Sequence, residues 1–309
     1  DPTNRYFAKL NYSEQLTEIP GNITLTDFNT RPRYSRTPED FGTEKVNSIS
    51  IGSQNILDTG TRFSNVFKFE DKDQTTSALS GTRYILAKTN LETSTLSSNI
   101  SKNHELINID LYSKLGFDVF SSAYRAIGND YYQVKYNNVA TQTIIEPFGI
   151  FKFNHSSIES LDYEIGFRYH YYELDTDNYT TKTSLSSDDR QNYAWSIGAN
   201  YNLRNGENIF THISRAYRAP RLDEIISLIS PSPTHSYIKH QYSNDIELGY
   251  EVIGDKQRFK TSVFRTLIKN QIYLNQSTFK NENFDPSVHQ GLEIEFDQYI
   301  YDNLKLKSN

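Results

Sequence analysis

The chain alternates apolar and polar residues with a period of two over most of its length. In "LDYEIGFRYHYYELD", Tyr163, Ile165 and Phe167 lie on one face of an extended chain, and Arg168 and His170 on the other. The segments "SNDIELGYEV", "GLEIEFD", "LINIDLY" and "YAWSIGANY" repeat this alternation. A strand with this pattern has one apolar and one polar face. The sequence therefore predicts an all-β protein.

Two architectures accommodate such strands, a soluble β-sandwich and an antiparallel transmembrane β-barrel with lipid outside and a polar interior. The predicted strands are about ten residues or longer, as in membrane barrels, whereas strands of soluble sheets average about five or six. Their polar faces also carry several ionised groups. We place Trp195 and Tyr201 at the start and end of one strand, where aromatic girdles roughly 20 Å apart would lie. These features favour the barrel.

The predicted connections alternate in length along the second half of the chain. Barrels of the outer membrane alternate short periplasmic turns with long outer loops. We therefore expect about 12 or 13 strands in this chain. The short turns are predicted at 154–160, 203–208, 253–257 and 301–304, and the long polar links at 172–191, 219–241 and 273–289.

The N-terminal third follows the same rhythm. The pattern predicts strands at 4–14, 46–56 and 62–71, a long loop at 15–45 and a turn at 57–61. The stretch 72–103 is rich in Ser, Thr and Asn, and its pattern is compatible with a loop or with a further strand.

Composition narrows the function classes. The net charge of -6 and the lack of a lysine-rich stripe argue against a nucleic-acid partner. Because there is no cysteine, neither a disulfide framework nor a thiolate metal site is possible. The sequence contains no run of 18 apolar residues, so it predicts no transmembrane helix. The chain begins without Met and inside a strand-like pattern, so we interpret it as a fragment of a longer protein.

The stretch "THISRAYRAPRLDEI" concentrates cations at the end of a predicted strand. Its alternation places Ile209, Thr211, Ile213 and Tyr217 on one face. Pro220 has no N–H and would end the ladder there. The cations are Arg215, Arg218 and Arg221. Arg215 fits a snorkelling position at the headgroup boundary. Rim anchoring explains the set, and a direct ligand contact from Arg218 or Arg221 is the alternative.

This motif and its neighbours resemble the C-terminal half of TonB-dependent outer-membrane receptor barrels. "SRAYRAP" with "LDEI" is followed by "SNDIELGYE", and "GFRYHYYE", "SIGANYNL", "SVFRTLIKNQIY" and "HQGLEIEF" occur in that family's order. The resemblance implies structural roles for Arg215, Tyr217, Pro220, Glu247, Gly249, Gly291 and Glu293. It also implies that residues 1–309 are part of a barrel of about 22 strands, without its plug domain, its signal peptide and its last strands.

A narrower likeness lies in "LNYSEQLTEIPGNITLTDFNTRPRYSRTPED", which resembles the ferric-citrate-receptor branch of this family. Guanidinium groups pair bidentately with carboxylates. The loop cations therefore suit an anionic ferric complex of a carboxylate chelator, although a solvated basic loop is the alternative. The candidate ligand residues here are Arg31, Arg33, Tyr34 and Arg36.

The remaining polar residues predict neither an enzyme nor a metal centre. None of the seven histidines has HExxH-type spacing, and no serine and histidine are marked as a nucleophile and its base. His170 and His212 fall on the polar face. We expect them to pack against a plug, with haem or bare-metal coordination as the alternative.

The resemblance implies a receptor in the outer membrane of a Gram-negative bacterium that takes up a ferric chelate, with ferric citrate or a similar siderophore as the expected ligand. It also implies that no cofactor is covalently bound. Its partners would be the chelate, outer-membrane lipid or lipopolysaccharide, and TonB with the inner-membrane energising complex through an N-terminal part. The alternatives are a receptor for haem, cobalamin or another siderophore, or a passive porin or structural barrel. A constricting in-folded loop would favour the porin.

Overall fold

The computed structural model describes the chain except residues 1–3, 20, 22, 81–82, 130–131, 156–159, 180–182, 205, 228–233, 236–237, 276, 279, 302–303 and 309. Within the described part, a 13-stranded antiparallel sheet contains most of the residues. Its strands are β1 (Asn4–Glu18), β2 (Phe41–Ile56), β3 (Arg62–Ser80), β4 (Arg83–Leu106), β5 (Ile109–Asn129), β6 (Lys135–His155), β7 (Leu161–Asn178), β8 (Thr183–Arg204), β9 (Glu207–Arg218), β12 (Gln241–Ile253), β13 (Gln257–Lys269), β16 (Ser287–Tyr301) and β17 (Leu304–Ser308).

Neighbours in this sheet are neighbours in the sequence, apart from short elements inserted in the long connections. These elements are the helices α1 (Leu25–Thr30) and α2 (Leu222–Ile225), the strand pair β10 (Ile226–Ser227) and β11 (Thr234–His235), and the pair β14 (Ile272–Asn275) and β15 (Lys280–Asn283). The connections 19–40, 219–240 and 270–286 lie at one end of the sheet, which we name the long-loop end. In the described part of the chain, no helix is both long and apolar enough to cross a membrane.

The all-β antiparallel fold and the expected number of strands are confirmed, but several predicted loops are wrong. The loop predicted at 15–45 spans only 19–40, and most of the link predicted at 172–191 belongs to β7 and β8. Trp195 consequently lies inside β8 and not at its start. Of the two alternatives for the stretch 72–103, the strand is confirmed, because residues 72–80 and 83–103 belong to β3 and β4. Ladder hydrogen bonds join backbone groups, so pairing continues where the side chains turn polar.

The two faces of the sheet differ as the alternation predicted. One side, named the apolar face, exposes large hydrophobic side chains such as Phe167 (48%), Ile246 (51%) and Leu248 (53%) to the surroundings. The opposite side, named the polar face, carries Glu146, Arg168 and the buried His170. Water would not favour so extended an apolar surface, whereas lipid would. The alternation is therefore that of a membrane barrel wall.

Aromatic rings of neighbouring strands cover several glycines of the sheet. The Phe210 ring on β9 lies against Gly249 on β12, and the Phe264 ring on β13 would be 3.1 Å from a side chain built at Gly291 on β16. A glycine that leaves room for a ring is a known device for curved sheets. The two glycines that the family resemblance singled out therefore have a packing role.

Replacing Gly249 with Ala is expected to destabilise the protein by about 1–3 kcal/mol, because the new methyl group would overlap the Phe210 ring. The matched control is Gly42→Ala on β2, where no atom lies within 4 Å of the added carbon. Thermal unfolding of the detergent-purified protein measures both. Equal stability of the two variants would contradict the packing role of Gly249.

Candidate functional site

The described residues of the 219–240 connection, which we name the in-folded loop, pack on the polar face of the sheet. Its residues Leu222, Ile225 and Ile238 are buried, and Ile225 has no exposed surface. They form one hydrophobic cluster with strand residues of β5, β6 and β7, and the Arg190 side chain of β8 also donates to the Ile238 carbonyl. The strand members of the cluster are Ala126, Tyr136, Ala140, Tyr172 and Leu174. An in-folded loop thus covers the polar face near the long-loop end.

The neighbouring 270–286 connection braces this loop through asparagine side chains. Asn283 accepts from the Lys239 backbone N–H at 2.7 Å and donates to the Lys239 carbonyl at 3.1 Å and to the Asn270 carbonyl at 2.7 Å. Asn281 donates to the Glu224 carbonyl at 3.1 Å. Because these bonds join backbone groups that lack sheet partners, the two loops form one hydrogen-bonded unit.

Glu146 on β6 is the centre of a polar network beside the in-folded loop. It accepts hydrogen bonds from Arg168 at 2.7 Å, from Tyr217 at 2.8 Å and from His170 Nδ1 at 2.7 Å. Arg168 also donates to Asp118 at 2.7 Å. The Glu146 side chain is only 14% exposed, and charge-assisted bonds in such surroundings are strong. The network ties β5, β6, β7 and β9 together on the polar face.

Two expectations are corrected by this network. Tyr217 does not share the apolar face with Ile213, because its hydroxyl reaches Glu146 on the polar face. The ladder between β8 and β9 ends at the pair Trp195 and Arg215, whereas Tyr217 still pairs with Tyr242 on β12. The end of β9 is therefore held by the sheet along one edge only. His170 needs no plug to be buried: the rings of Tyr217 and His240 lie 4.9 Å and 5.4 Å from it.

Arg218 and Arg221 are drawn to one carboxylate. The Arg218 guanidinium donates to Glu224, and the Arg221 guanidinium lies 3.8 Å from the same carboxylate. The Arg221 backbone N–H also donates to Glu224 at 2.9 Å, which resembles the return bond of a helix capping box at α2. The ligand role predicted for both residues remains a prediction, and their observed contacts order the start of the in-folded loop. Pro220 is buried just after β9.

The predicted ligand cluster of the 19–40 connection lies on and after α1. Thr24 caps this helix, since its hydroxyl accepts from the Asp27 backbone N–H at 3.1 Å. Arg31 pairs with Asp27 and places its guanidinium 4.2 Å from the centre of the Tyr34 ring. The Arg31 bond, followed by the Thr24 bond, lowers the pKa of Asp27, and the same Asp27 bond raises the pKa of Arg31.

Arg33 and Arg36 differ from Arg31 in their surroundings. Both side chains are exposed, and neither forms an ion pair with any residue that the structure describes. Their loop is anchored by Asp40, which is buried and accepts from the Leu79 backbone N–H at 2.8 Å. No described contact joins this cluster to Arg218 or Arg221. The sequence therefore predicted two arginine groups that the structure keeps apart.

A separate cavity of about 820 Å³ opens at the opposite, short-turn end of the sheet. His104, Lys152, Glu164 and His212 are among its lining residues, and Lys152 pairs with Glu164 at 2.6 Å. Across the described residues, no three His, Asp or Glu side chains are placed to hold a metal ion. Glu105, Asp110 and Asp162 also line the cavity, so its carboxylates outnumber its single lysine.

The other residues implied by the resemblance have backbone or ring partners. Glu247 and Glu293 each accept, through the carbonyl, a hydroxyl of a threonine on the adjacent strand, at 2.9 Å from Thr211 and at 3.2 Å from Thr261. Arg215 lies between the rings of Tyr193 and Tyr242, at 4.5 Å and 4.2 Å from their centres. These contacts belong to the wall of the sheet.

Sequence reasoning missed Glu146 and its hydrogen-bond network. A usable signal existed, because Glu146 is a lone carboxylate in the apolar run "TIIEPFGIF". A charged residue at such a position is expected to be paired. Its partners were not readable, since Tyr217 lies 71 positions further along the chain.

Comparisons with known proteins agree with this geometry. The family model described as "TonB dependent receptor-like, beta-barrel" matches residues 1–309. A search of curated proteins found no match. Among solved structures, the chain is similar to the ferric citrate transporter FecA in the unliganded form, with a TM-score of 0.78 and 13% identity over 96% of this chain and 46% of that one.

Two further structures have the same fold. The ferric-catecholate import receptor Fiu from E. coli K12 in its closed form gives a TM-score of 0.71 at 12% identity, covering 97% of this chain and 54% of that one. The ferric yersiniabactin uptake receptor FyuA from Yersinia pestis gives 0.69 at 10% identity, covering 96% and 47%. The chain spans about half the length of these structures. Because the family model matches its whole length, the chain belongs to the TonB-dependent receptor-like β-barrel family.

Proposed function

We propose that the protein containing this chain is an outer-membrane receptor that takes up a ferric chelate with a carboxylate chelator, citrate being the model. One observation carries the ligand class. Arg33 and Arg36 are exposed on a long loop without an ion-pair partner among the described residues. The similarity to a structure named as a ferric citrate transporter supports the same choice.

The chemistry of the ligand explains why arginine suits this position. A ferric complex of a polycarboxylate is an anion whose outer atoms are carboxylate oxygens. Arginine presents a planar fork of donors that pairs with such oxygens bidentately, and it stays charged at every physiological pH. Arg31 and Tyr34 would shape the surface beside this pair, because their side chains are already in contact.

In this proposal, residues 1–309 supply part of the barrel wall and its outer loops. The ligand binds at the loops, and energy delivered by TonB and an inner-membrane complex moves a plug so that the ligand passes. The plug and the TonB-contacting segment would come from other parts of the protein. Location in the outer membrane of a Gram-negative bacterium follows from the same proposal, as does the absence of a nucleic-acid partner and of an enzymatic reaction.

Replacing Arg33 and Arg36 together with Ala is expected to weaken binding of ferric dicitrate by about 100-fold, since each charge-assisted pair contributes about tenfold. Titration calorimetry on the full-length protein in detergent measures this, with iron-free citrate and a ferric hydroxamate as comparison ligands. Lys256→Ala is the matched control. It removes an exposed cation from the turn at the opposite end of the sheet, so a change below about threefold is expected.

Two outcomes would contradict the proposal. Binding of the hydroxamate but not of dicitrate would retain a receptor and refute the carboxylate ligand. Absence of binding by all three ligands, with steady ion conductance in planar bilayers, would favour the passive porin. The in-folded 219–240 loop is the observation that keeps this second candidate in view, because porins narrow their channel with such a loop.

A further inference from the structure

The apolar face carries three cations at the upper edge of its hydrophobic band, next to the long-loop end. Arg215 on β9 pairs in register with Asn244 on β12, and Arg265 and Lys269 lie on β13 opposite Ile246 and Tyr242. Residues paired directly across strands project to the same face. At roughly 4.8 Å between strands and 3.3 Å per residue, the three Cα atoms lie within about 13 Å of one another.

Below these cations, the next rows of the apolar face are hydrophobic. Leu248 is 53% exposed, Val263 51%, Leu292 62% and Ile294 50%. Such a surface belongs in the hydrocarbon layer of a membrane. The cations therefore sit where the hydrocarbon ends and the headgroups begin.

Among the carboxylates that the structure describes, none forms an ion pair with these three cations. The register places only uncharged residues beside them on the apolar faces of β9, β12, β13 and β16. The nearby Asp245 is turned away, because it accepts from Ser243 and Thr266 on the polar face. Among the described residues, Arg215, Arg265 and Lys269 form no ion pair. Elsewhere on this sheet, cations such as Lys45, Lys72 and Lys152 are paired with glutamates.

Aromatic rings hold part of this cluster in place. The Arg215 guanidinium lies between Tyr193 and Tyr242, and the Lys269 ammonium is 5.9 Å from the centre of the Tyr242 ring. Arg215 also donates to the Asn192 side chain and to the Tyr193 carbonyl, at 3.3 Å each. Tyrosine prefers the boundary between lipid and water. The cluster is thus an ordered, positively charged site that faces the membrane.

We propose that Arg215, Arg265 and Lys269 bind the phosphate groups of an anionic lipid in the outer leaflet. Phosphate is the charge found at this depth, and guanidinium and ammonium groups are its usual partners in proteins. The Arg215 side chain is held in place by its ring and hydrogen-bond contacts. In this proposal, the side chains of Arg265 and Lys269 reach toward the same headgroup from β13. The bound lipid would also cover the open line above Arg215, where β8 and β9 no longer pair.

Native mass spectrometry of the full-length protein, extracted in detergent, tests the site. The probes are bisphosphorylated lipid A, its fully dephosphorylated form and inorganic phosphate. The double variant R265Q/K269Q is expected to lose about 30-fold in affinity for the phosphorylated lipid, about fivefold for each cation. Arg215 is left intact because it also contacts Asn192. The control is K256Q, which removes an exposed cation from the turn at the opposite end of β12 and β13.

Selective retention of the phosphorylated lipid, lost in R265Q/K269Q and kept in K256Q, would support the site. Equal retention of both lipid forms, or an equal loss in K256Q, would overturn it. Competition by millimolar inorganic phosphate would show a general anion site and would overturn the assignment to lipid. The single variants R265Q and K269Q, at about fivefold each, provide the same test if the double variant is not recovered.

Discussion

Replacing Glu146 with Ala is expected to destabilise the protein by about 3 kcal/mol. Breaking a buried ion pair by removing one partner typically costs about 3–5 kcal/mol, because the remaining charge stays buried. The lower end applies here, since Arg168 keeps Asp118 as a partner at 2.7 Å. Tyr217 and His170 would both lose the acceptor that they share. Thermal unfolding in detergent, followed by the loss of sheet circular dichroism, measures the effect.

The matched control is Glu164→Ala, on β7. Glu164 pairs with Lys152 across the same two strands at 2.6 Å, but its side chain is 41% exposed. Such surface pairs contribute about 0–1 kcal/mol. A Glu146→Ala variant as stable as Glu164→Ala would show that the network is not a structural centre. Glu146→Gln is expected to fall between them, because it keeps an acceptor and loses the charge.

Replacing Ile225 with Ala is expected to release the in-folded loop. Ile225 is fully buried in the cluster with strand residues of the polar face, and truncating a buried Ile costs about 2–5 kcal/mol. The loss falls on the docked loop, whose ends are held by Glu224 and Asn283. Opening of the loop would become at least about 30-fold more frequent. Tryptic cleavage after Arg221 and Lys239 measures that opening.

The control for this variant is Leu274→Ala in the neighbouring β14 strand, where the side chain is 54% exposed. It alters an apolar residue of the bracing hairpin without opening a cavity, so cleavage is expected to stay near the wild-type rate. Unchanged cleavage of Ile225→Ala would contradict the docking of the loop by this residue. In the porin alternative, the same variant would also raise ion conductance.

Much of the barrel wall was predictable from local sequence. Alternation such as that of Ile246, Leu248 and Tyr250 with the intervening Glu247 and Gly249 decides which side chains lie on the apolar face, because successive side chains of a strand point to opposite faces. The turn at 57–61 and the break after Arg218 were also readable. The ends of the strands were not readable. β7, for example, continues to Asn178 through a polar segment, and the polar side chains of that segment do not indicate that its backbone is paired.

The candidate sites divide in the same way. The residue types of the arginine loop are visible in the sequence, but which arginine is neutralised depends on geometry. Asp27 lies one helical turn before Arg31 and forms an ion pair with it, whereas Arg33 and Arg36 remain exposed without an ion pair among the described residues. The boundary position of Arg215 was readable from the sequence, but its grouping with Arg265 and Lys269 was not. The cluster combines β9 and β13, which only the pairing of both with β12 brings together.

By itself, the sequence determined that this chain is an antiparallel membrane barrel wall with long loops at one end, and its motifs indicated the receptor family. These properties depend on period and on local motifs, which a single strand or hairpin expresses. Only the tertiary structure shows that the described residues of the 219–240 loop pack on the polar face. It also shows that Glu146 accepts hydrogen bonds from Arg168, His170 and Tyr217, and it decides which of the described cations have no ion-pair partner. Those properties depend on contacts between residues tens of positions apart, and only the register of the folded sheet specifies them.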